Sequence, residues 1–570
     1  MLVVAREAEL PDGRRVWGTG GWREPEEREA LDWLTLARLS GWGVSVTYQG
    51  ETGLDVELRD GNRWIIVACD PDHLGEDAVR GLASRLEAEP IVVVARAGAR
   101  GGAFARLAGA THVSGHILGR ALRWVGAGPE RDWRCRTALE GALMETHSSA
   151  SMWATLDGAP FIVGRRVGRG AVATLGFHPS RARDLDGAAT ALLRHLLIWS
   201  AMAPVAWFDL EHTLVLRMDD PGGAQSVHSR DWYYPKLGEE AWAAIGVGLA
   251  RRSGRLSIGY SPGWVDDGDP ARGDLAVAGH VAPRIPGRVH PSPLVKYRDR
   301  GGHTPGTLHD YEAEFRGIQS LRAAGLADVE LHGYTHMHPD TLSWARAPDR
   351  YRSEAWYREL GSPARDTIAA RPREEHPLAL GVASLERYFG ARPTTLICPG
   401  DEWTDEALER ALDLDLYLVS SYYLAIRDEN RFCWSTHVCA PYLDKPDPAW
   451  FDAGLPVVGY FHDREPALEG PVWIESWLER WQAAGARRLI DLRELAGVVS
   501  RRLCAEEDDG ELCLSVSGRG APPRVRPVKV FLRAPRGELP SRMTASLDTV
   551  RLLLDVDSLG DGLGCLTLPS

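Results

Sequence analysis

The chain has 570 residues, of which 44% are hydrophobic and 25% charged, and it carries a formal net charge of −13. That length exceeds what one hydrophobic core supports, so several domains are expected in an otherwise ordinary globular composition. The acidic balance argues against nucleic-acid and anionic-membrane partners, which need a basic surface.

No window approaches ~18 uninterrupted apolar residues, so no membrane span is expected. Met1-Leu2-Val3-Val4-Ala5-Arg6-Glu7 lacks the basic and apolar regions of a secretory signal. The eight cysteines are scattered without a C-x-x-C pair. That pattern suits reduced thiols and a cytoplasmic location. Trp, at 21 residues, outnumbers Phe, at 10. Indole faces suit sugar stacking, but the enrichment in Ala, Gly and Arg points to a base-composition bias that also raises Trp.

Residues 1–206 alternate strand-like runs (44–48, 64–68, 90–94) with helix-period segments (26–39, 77–86). Apolar runs of this kind suit strands buried on both faces, so a doubly wound parallel sheet is expected. The run 171–179 and a helix over 188–201 close this unit. From 207 to 499 a second alternation predicts strands at 212–217, 329–332, 395–398, 416–420, 457–461 and 488–491, with helices over 378–389, 405–412 and 476–484. The stretch 261–310, rich in Gly, Pro and His, reads as an insert over the mouth of the site. Its Trp264, His290 and Tyr297 offer stacking and hydrogen-bond groups to a polar ring. The charged segment 345–375 reads as a surface excursion. After 500, short alternating strands at 511–516, 529–533 and 550–554 suggest a small antiparallel β domain over 500–570.

The chemistry gathers in Leu331-His332-Gly333-Tyr334-Thr335-His336 and Arg217-Met218-Asp219-Asp220-Pro221. Two histidines four apart can face one metal ion, and the Asp pair adds an anionic ligand and a spare carboxylate. Such a set leaves room for water, as catalytic sites do. Zn²⁺ is the default divalent ion for it, with Co²⁺, Ni²⁺ and Mn²⁺ feasible. His280, His290, His303 and His309 have no ligand spacing and read as loop residues or at most substrate contacts, and His338 as a surface residue or one supporting the ligands.

Just over half the chain resembles the polysaccharide deacetylase (NodB-homology, carbohydrate esterase) family. Arg217-Met218-Asp219-Asp220 is similar to its Thr-Phe-Asp-Asp motif, and His332-Gly333-Tyr334-Thr335-His336 to its His-x-x-x-His motif. The segment from Pro393 to Glu406 aligns with its Arg-Pro-Pro-x-Gly segment, and Tyr460-Phe461-His462-Asp463 with its late Leu-x-His motif. The resemblance implies a distorted β/α barrel over 207–499, with Asp219 as base and His462 as general acid. It further implies Asp220, His332 and His336 as metal ligands. Pro399, Gly400, Asp401, Trp403, Asp463 and Arg464 then fall at substrate-binding or supporting positions. The Arg of the third motif falls at Ile397 and its glycine at Asp401, so either another Arg (Arg217 or Arg464) reaches the site or the base is held differently. Asp463 or another carboxylate is expected to fix the His462 tautomer.

The segment 171–179 resembles the last strand of class I glutamine-amidotransferase-like domains, where such a His-Pro carries the catalytic histidine. The nucleophile is missing: 94–100 has no Cys, and Cys69 ends a different strand. The N-terminal domain is therefore expected to be non-catalytic, with His178 a hydrogen-bonded loop residue.

The expected activity is removal of an N-acetyl or N-acyl group from an amino sugar or related small amine. The expected partner is a small-molecule or oligosaccharide substrate. The competing readings are a metal-dependent hydrolase of a non-sugar amide or ester, and a catalytically silent saccharide- or partner-binding scaffold.

Overall fold

The computed structural model describes residues 1–6, 25–49, 62–179, 187–224, 232–301, 304–342, 357–361, 373–428, 431–435, 439–440, 442–443, 445–508, 511–518, 520–535, 539–548 and 550–570. It is a mixed α/β structure with two nine-stranded sheets.

The first sheet contains β1 (Leu2–Arg6), β2 (Ser45–Gln49), β3 (Trp64–Val67), β4 (Val92–Arg96), β5 (Ala110–Trp124), β6 (Arg131–Thr146), β7 (Ala150–Leu156), β8 (Ala159–Val167) and β9 (Gly170–Leu175), in the order β2-β1-β3-β4-β9-β8-β7-β5-β6. The five strands from β2 to β9 are parallel. Side chains alternate along β3 and β4. Ile66, Val92 and Val94 join a core with the helices Pro25–Ser40 and Gly187–Ser200, whereas Ile65, Val67 and Val93 pack on the helix Glu76–Ala88. Helices on both faces are why these strands read as unbroken apolar runs.

The expectation of a wholly parallel sheet needs correction. Residues 110–167 form four antiparallel strands that extend it. On β6 buried and exposed side chains interleave, as on a sheet with one wet face.

β10 (Val205–Phe208) straddles the expected boundary at 206 and pairs with a C-terminal strand. The second sheet holds β11 (Thr213–Asp219) and β12 (Leu256–Tyr260). Between β12 and the next strand of that sheet the insert forms β13 (Gly263–Val265), β14 (Leu275–Val277), β15 (His280–Ala282), β16 (Val289–Pro291), β17 (Val295–Arg298) and β18 (Leu308–Asp310). These make two small antiparallel sheets around a core of Trp264, Leu275, Val295, Tyr297 and Tyr311. Trp264, His290 and Tyr297 are 3%, 5% and 2% exposed. They fill the insert's own interior, which corrects their reading as substrate contacts.

The second sheet continues with β19 (Ala327–Leu331), β20 (Thr395–Ile397), β21 (Leu418–Ser420), β22 (Leu424–Asp428), β23 (Arg431–Ser435), β24 (Val457–His462) and β25 (Arg488–Ile490). Its order is β23-β22-β21-β20-β19-β12-β11-β24, with β25 also on β11. The strands from β21 to β24 are parallel, and β22 and β23 form an antiparallel hairpin. Beyond β23, Cys439 bridges back in parallel to Val458 on β24.

The C-terminal strands are β26 (Arg502–Asp508), β27 (Glu511–Ser517), β28 (Val528–Arg533), β29 (Arg542–Leu547), β30 (Val550–Asp555), β31 (Asp557–Gly560) and β32 (Leu563–Leu568). They form two four-stranded sheets, one completed by β10, and β27 lies parallel to β29. One apolar core runs through all three regions. At the seams Trp42 Nε1 donates to the Ala206 carbonyl at 2.7 Å and Arg38 Nη2 to the Val499 carbonyl at 3.0 Å. All eight cysteines are free thiols. Among the described residues no helix is long and apolar enough to cross a membrane.

Two buried histidines give this fold an acid-sensitive side. His195 lies edge-on to Trp124 at 5.1 Å and Trp133 at 5.5 Å. Burial, then the Arg131 charge, pushes it down to about 3. His309 in the insert is pushed to about 3 by burial and then by Arg272. Both titrate near 6.5 once unfolded. Below that pH the unfolded chain takes up protons that the native state refuses, so this contribution is whole above 6.5 and is lost as pH falls toward 3. We expect the thermal midpoint to drop between pH 7 and pH 5, each histidine costing about 1.4 kcal/mol per pH unit once well below 6.5. His195→Gln should flatten that slope, and an unchanged slope would count against the assignment.

Candidate metal centre

The site is built at one end of the second sheet. In the β11–β24 ladder Asp219 is the register partner of His462, and β12 and β19 end together at Tyr260 and Leu331. Their following residues therefore emerge side by side, at the carboxyl edge where parallel α/β sheets assemble sites. Asp220 leaves β11 with φ +78, and Gly222 follows with φ +86. This left-handed turn, which Asp tolerates better than most residues, swings the second carboxylate away from the strand.

Asp220, His332 and His336 come together there, their ligand atoms all within 4.8 Å of one another. His332 Nε2 lies 3.1 Å and His336 Nε2 3.6 Å from Asp220 Oδ1, and all three residues are buried. His332 Nδ1 donates to the Ile397 carbonyl at 3.0 Å, so its Nε2 points at the Asp220 carboxylate. A lone pair aimed at a carboxylate is unfavourable unless a proton or a cation lies between them. Burial alone would raise Asp220, but His462 and the two ring partners hold it below the usual carboxylate range. Burial works against the charged form of His332 too, yet its bond to Asp220 and the two Asp charges leave it raised. His336 is pushed down to about 4, first by burial and then by His332. Two adjacent imidazoles cannot both carry a proton cheaply. This donor set of two ring nitrogens and one carboxylate oxygen fits a divalent cation.

Asp219 is held separately. Arg217 Nε donates to Asp219 Oδ1 at 2.8 Å and to Oδ2 at 3.1 Å, and Nη2 donates to Oδ2. Arg217 Nη1 reaches Ser420 Oγ at 3.1 Å and the Ser421 carbonyl at 2.8 Å, and the guanidinium covers the Tyr460 ring at 4.5 Å. Burial would raise Asp219, but the Arg217 charge and hydrogen bonds outweigh it, and the carboxyl sits below its ordinary value. The arginine missing at Ile397 thus has a counterpart two residues before the carboxylate on the same strand face. Arg464 lies on the His462 side of the site, over the Trp232 ring at 5.5 Å and 3.5 Å from Glu465.

His462 stands between Trp232 and Tyr442, whose rings meet it edge-on at 4.8 Å and 4.6 Å. Its carboxylate neighbour is Glu465, not Asp463. Glu465 Oε2 accepts the His462 backbone N–H at 2.8 Å and lies 3.9 Å from Nδ1. The strand ends at His462 and Asp463 already takes helical backbone, φ −61 and ψ −16; its carboxylate meets Lys236 Nζ at 2.8 Å and the Tyr234 hydroxyl. Lys236 also pairs with Glu314 at 3.1 Å, and Glu314 accepts the Gly222 N–H at 2.8 Å. Burial pushes Glu314 up to about 8 against the pull of Lys236.

The other expected positions divide. Pro399 packs beneath Gly333. Gly400, at φ +63, lies against Tyr357, leaving no room there for a side chain. Asp401 approaches Arg217 at 3.6 Å, and burial raises its carboxyl to about 6. Trp403 is 1% exposed within the core, where it can only support the site from behind. In the first sheet Cys69 is buried, and His178 Nε2 lies 3.4 Å from Glu29. Sequence reasoning missed Trp232, Tyr234, Lys236, Glu314, Tyr442 and Glu465. Only Glu465 carried a local signal, its i+3 spacing from His462.

No family model and no curated protein matches the chain. Solved structures similar to it include the novel carbohydrate deacetylase Agd3, at 12% identity and a TM-score of 0.44, over 100% of this chain and 98% of that one. They also include the exo-β-1,4-mannosidase Op5Man5 from Opitutaceae bacterium strain TAV5, at 19% identity and a TM-score of 0.22, over 32% of each chain. A third is BA3943, a CE4 family pseudoenzyme from Bacillus anthracis, at 10% identity and a TM-score of 0.26, over 50% of this chain and 66% of that one.

Lys236 is the shared counter-ion of two fully buried carboxylates. Lys236→Met should cost about 3–5 kcal/mol in denaturant unfolding, because it strands buried charge. Adding Asp463→Leu should recover part of that loss. Equal stability of Lys236→Met and the parent would show that the trio contributes nothing.

Proposed function

We propose that the chain is a metal-dependent deacetylase that hydrolyses an N-acetyl or N-acyl amide of an amino sugar or related small amine. The site would lie at the carboxyl end of a distorted β/α barrel over 207–499, a closure supported by the return of Cys439 to β24. The observation that carries this reading is the convergence of Asp220, His332 and His336 beside a second, separately held carboxylate and a third histidine. The exposed ring of Tyr422 near Tyr460, with Trp232 and Tyr442, offers apolar faces for a sugar.

Asp220, His332 and His336 would hold the ion, with Zn²⁺ as the expected choice. When bound, a divalent ion acidifies water and polarises an acyl carbonyl. Asp219, kept ionised and oriented by Arg217, accepts a proton from the attacking water. The C–O bond forms first, giving a tetrahedral carbon, and the C–N bond breaks once its nitrogen is protonated. His462, level with Asp219 on the next strand, delivers a proton to the departing nitrogen, and Glu465 lies 3.9 Å from its Nδ1. The Trp232 and Tyr442 rings, both edge-on to the imidazole, restrict its rotation.

Calorimetry with Zn²⁺ and acetate release from N-acetylglucosamine oligomers test this. Chelation should abolish turnover and Zn²⁺ should restore it. Asp220→Ala and His336→Ala should take up no metal, whereas Asp219→Asn should keep the metal and lose about 10²–10⁴-fold in kcat. Undiminished metal binding in both Ala variants would remove the basis of the proposal. Turnover confined to non-sugar N-acetyl amines would redirect the substrate assignment.

A further inference from the structure

We propose that Glu359 is the positioning residue of the metal loop, its carboxylate holding the backbone of Tyr334-Thr335-His336 so that the His336 ring meets Asp220. This rests on reading Asp220, His332 and His336 as the metal ligands. The loop departs from regular backbone at both ends, with Gly333 at φ +68 and His336 at φ +61. A left-handed residue other than Gly or Asn is held only where its surroundings over-determine it. The left-handed bends turn three successive backbone N–H groups toward one point, an anion-binding nest.

Glu359 fills that nest. Its Oε2 accepts from Tyr334 N at 2.6 Å and His336 N at 3.3 Å, and its Oε1 from Thr335 N at 2.9 Å and Thr335 Oγ1 at 2.8 Å. Glu359 is 1% exposed. A Cβ on Gly333 would run into Oε2 and into Pro399, so carboxylate and glycine are matched. The segment that delivers Glu359 is pinned beside the centre. Arg358 pairs with Glu402 at 3.0 Å, and the Tyr357 ring lies nearly parallel to that of His336 at 6.4 Å.

The two histidines are therefore oriented by different means. His332 follows its own strand and is fixed by the Ile397 carbonyl. Among the described residues His336 Nδ1 has no hydrogen-bond partner, and the direction of the ring follows from the loop that Glu359 grips. Three backbone donors and a hydroxyl all need acceptors. An amide in place of the carboxylate would set an NH₂ against two of them.

The probe is Co²⁺, titrated into the metal-free full-length protein and followed by its visible absorption and by chelator competition. Glu359→Gln should weaken Co²⁺ binding by about 10–100-fold and alter the absorption band, with the far-ultraviolet spectrum unchanged. Thr335→Val, which removes one of the four bonds, should weaken binding by a smaller factor, and Thr335→Ser should restore it. Parent-like affinity and absorption in Glu359→Gln would overturn the inference. If Glu359→Gln fails to fold, parent-like affinity in Thr335→Val would overturn it instead. Absence of Co²⁺ binding by the parent would overturn the metal reading beneath it, a separate outcome.

Discussion

Two adjacent carboxylates, Asp219 and Asp220, are buried at 2% and 7% exposure, and the rest of the site is arranged around keeping both ionised. Side by side in a poorly solvated pocket they would force a proton onto one another. The structure separates them by giving each its own cationic or donor partners. Asp219 ends a strand and receives a guanidinium from the same strand. Asp220 has already turned into the left-handed region and meets two imidazoles. One residue of backbone thus sends the two carboxylates to different partners, a guanidinium and a pair of imidazoles.

The same rule extends outward. Asp463 and Glu314, equally buried, share the Lys236 ammonium, which also lies 3.4 Å from the Asp220 carbonyl. Glu465 faces His462, and Asp401 faces Arg217. Among the described residues around the centre, each buried carboxyl group named here adjoins a cation, an imidazole or a fan of N–H donors. That arrangement is costly to place in a protein interior and is tolerated where it serves chemistry.

Much of this was legible in the sequence where the signal is local. Runs such as Trp64-Ile65-Ile66-Val67 read as doubly buried strands because both faces demand apolar side chains. The motif residues were legible because strand ends present consecutive side chains in fixed directions. The antiparallel half of the first sheet was not. Its strands carry His, Arg and Gly on the wet face, and bulges near His112 and Gly119 break their alternation. Of the carboxylates expected to fix the His462 tautomer, the one beside the ring is Glu465 and not Asp463, because the chain turns into a helix at Asp463. Glu359, Lys236 and Glu314 contribute single side chains from far along the chain, and no spacing rule reaches them. The charged look of 345–375 even pointed outward, although Glu359 lies in the interior.

The short segment from Trp232 to Lys236 touches two parts of the molecule at once. Trp232 flanks His462 and Lys236 holds Asp463, while between them the Tyr233 hydroxyl meets Tyr297 at 2.9 Å and Arg272 Nη1 at 3.3 Å. The insert is therefore not an interchangeable loop laid beside a finished pocket. Its interior and one wall of the pocket share a common strip of chain, so a graft of 261–310 from another protein would have to bring its own version of 232–236. Diversification of the insert and of the pocket wall is mechanically coupled, and substitutions in one are expected to be accompanied by substitutions in the other.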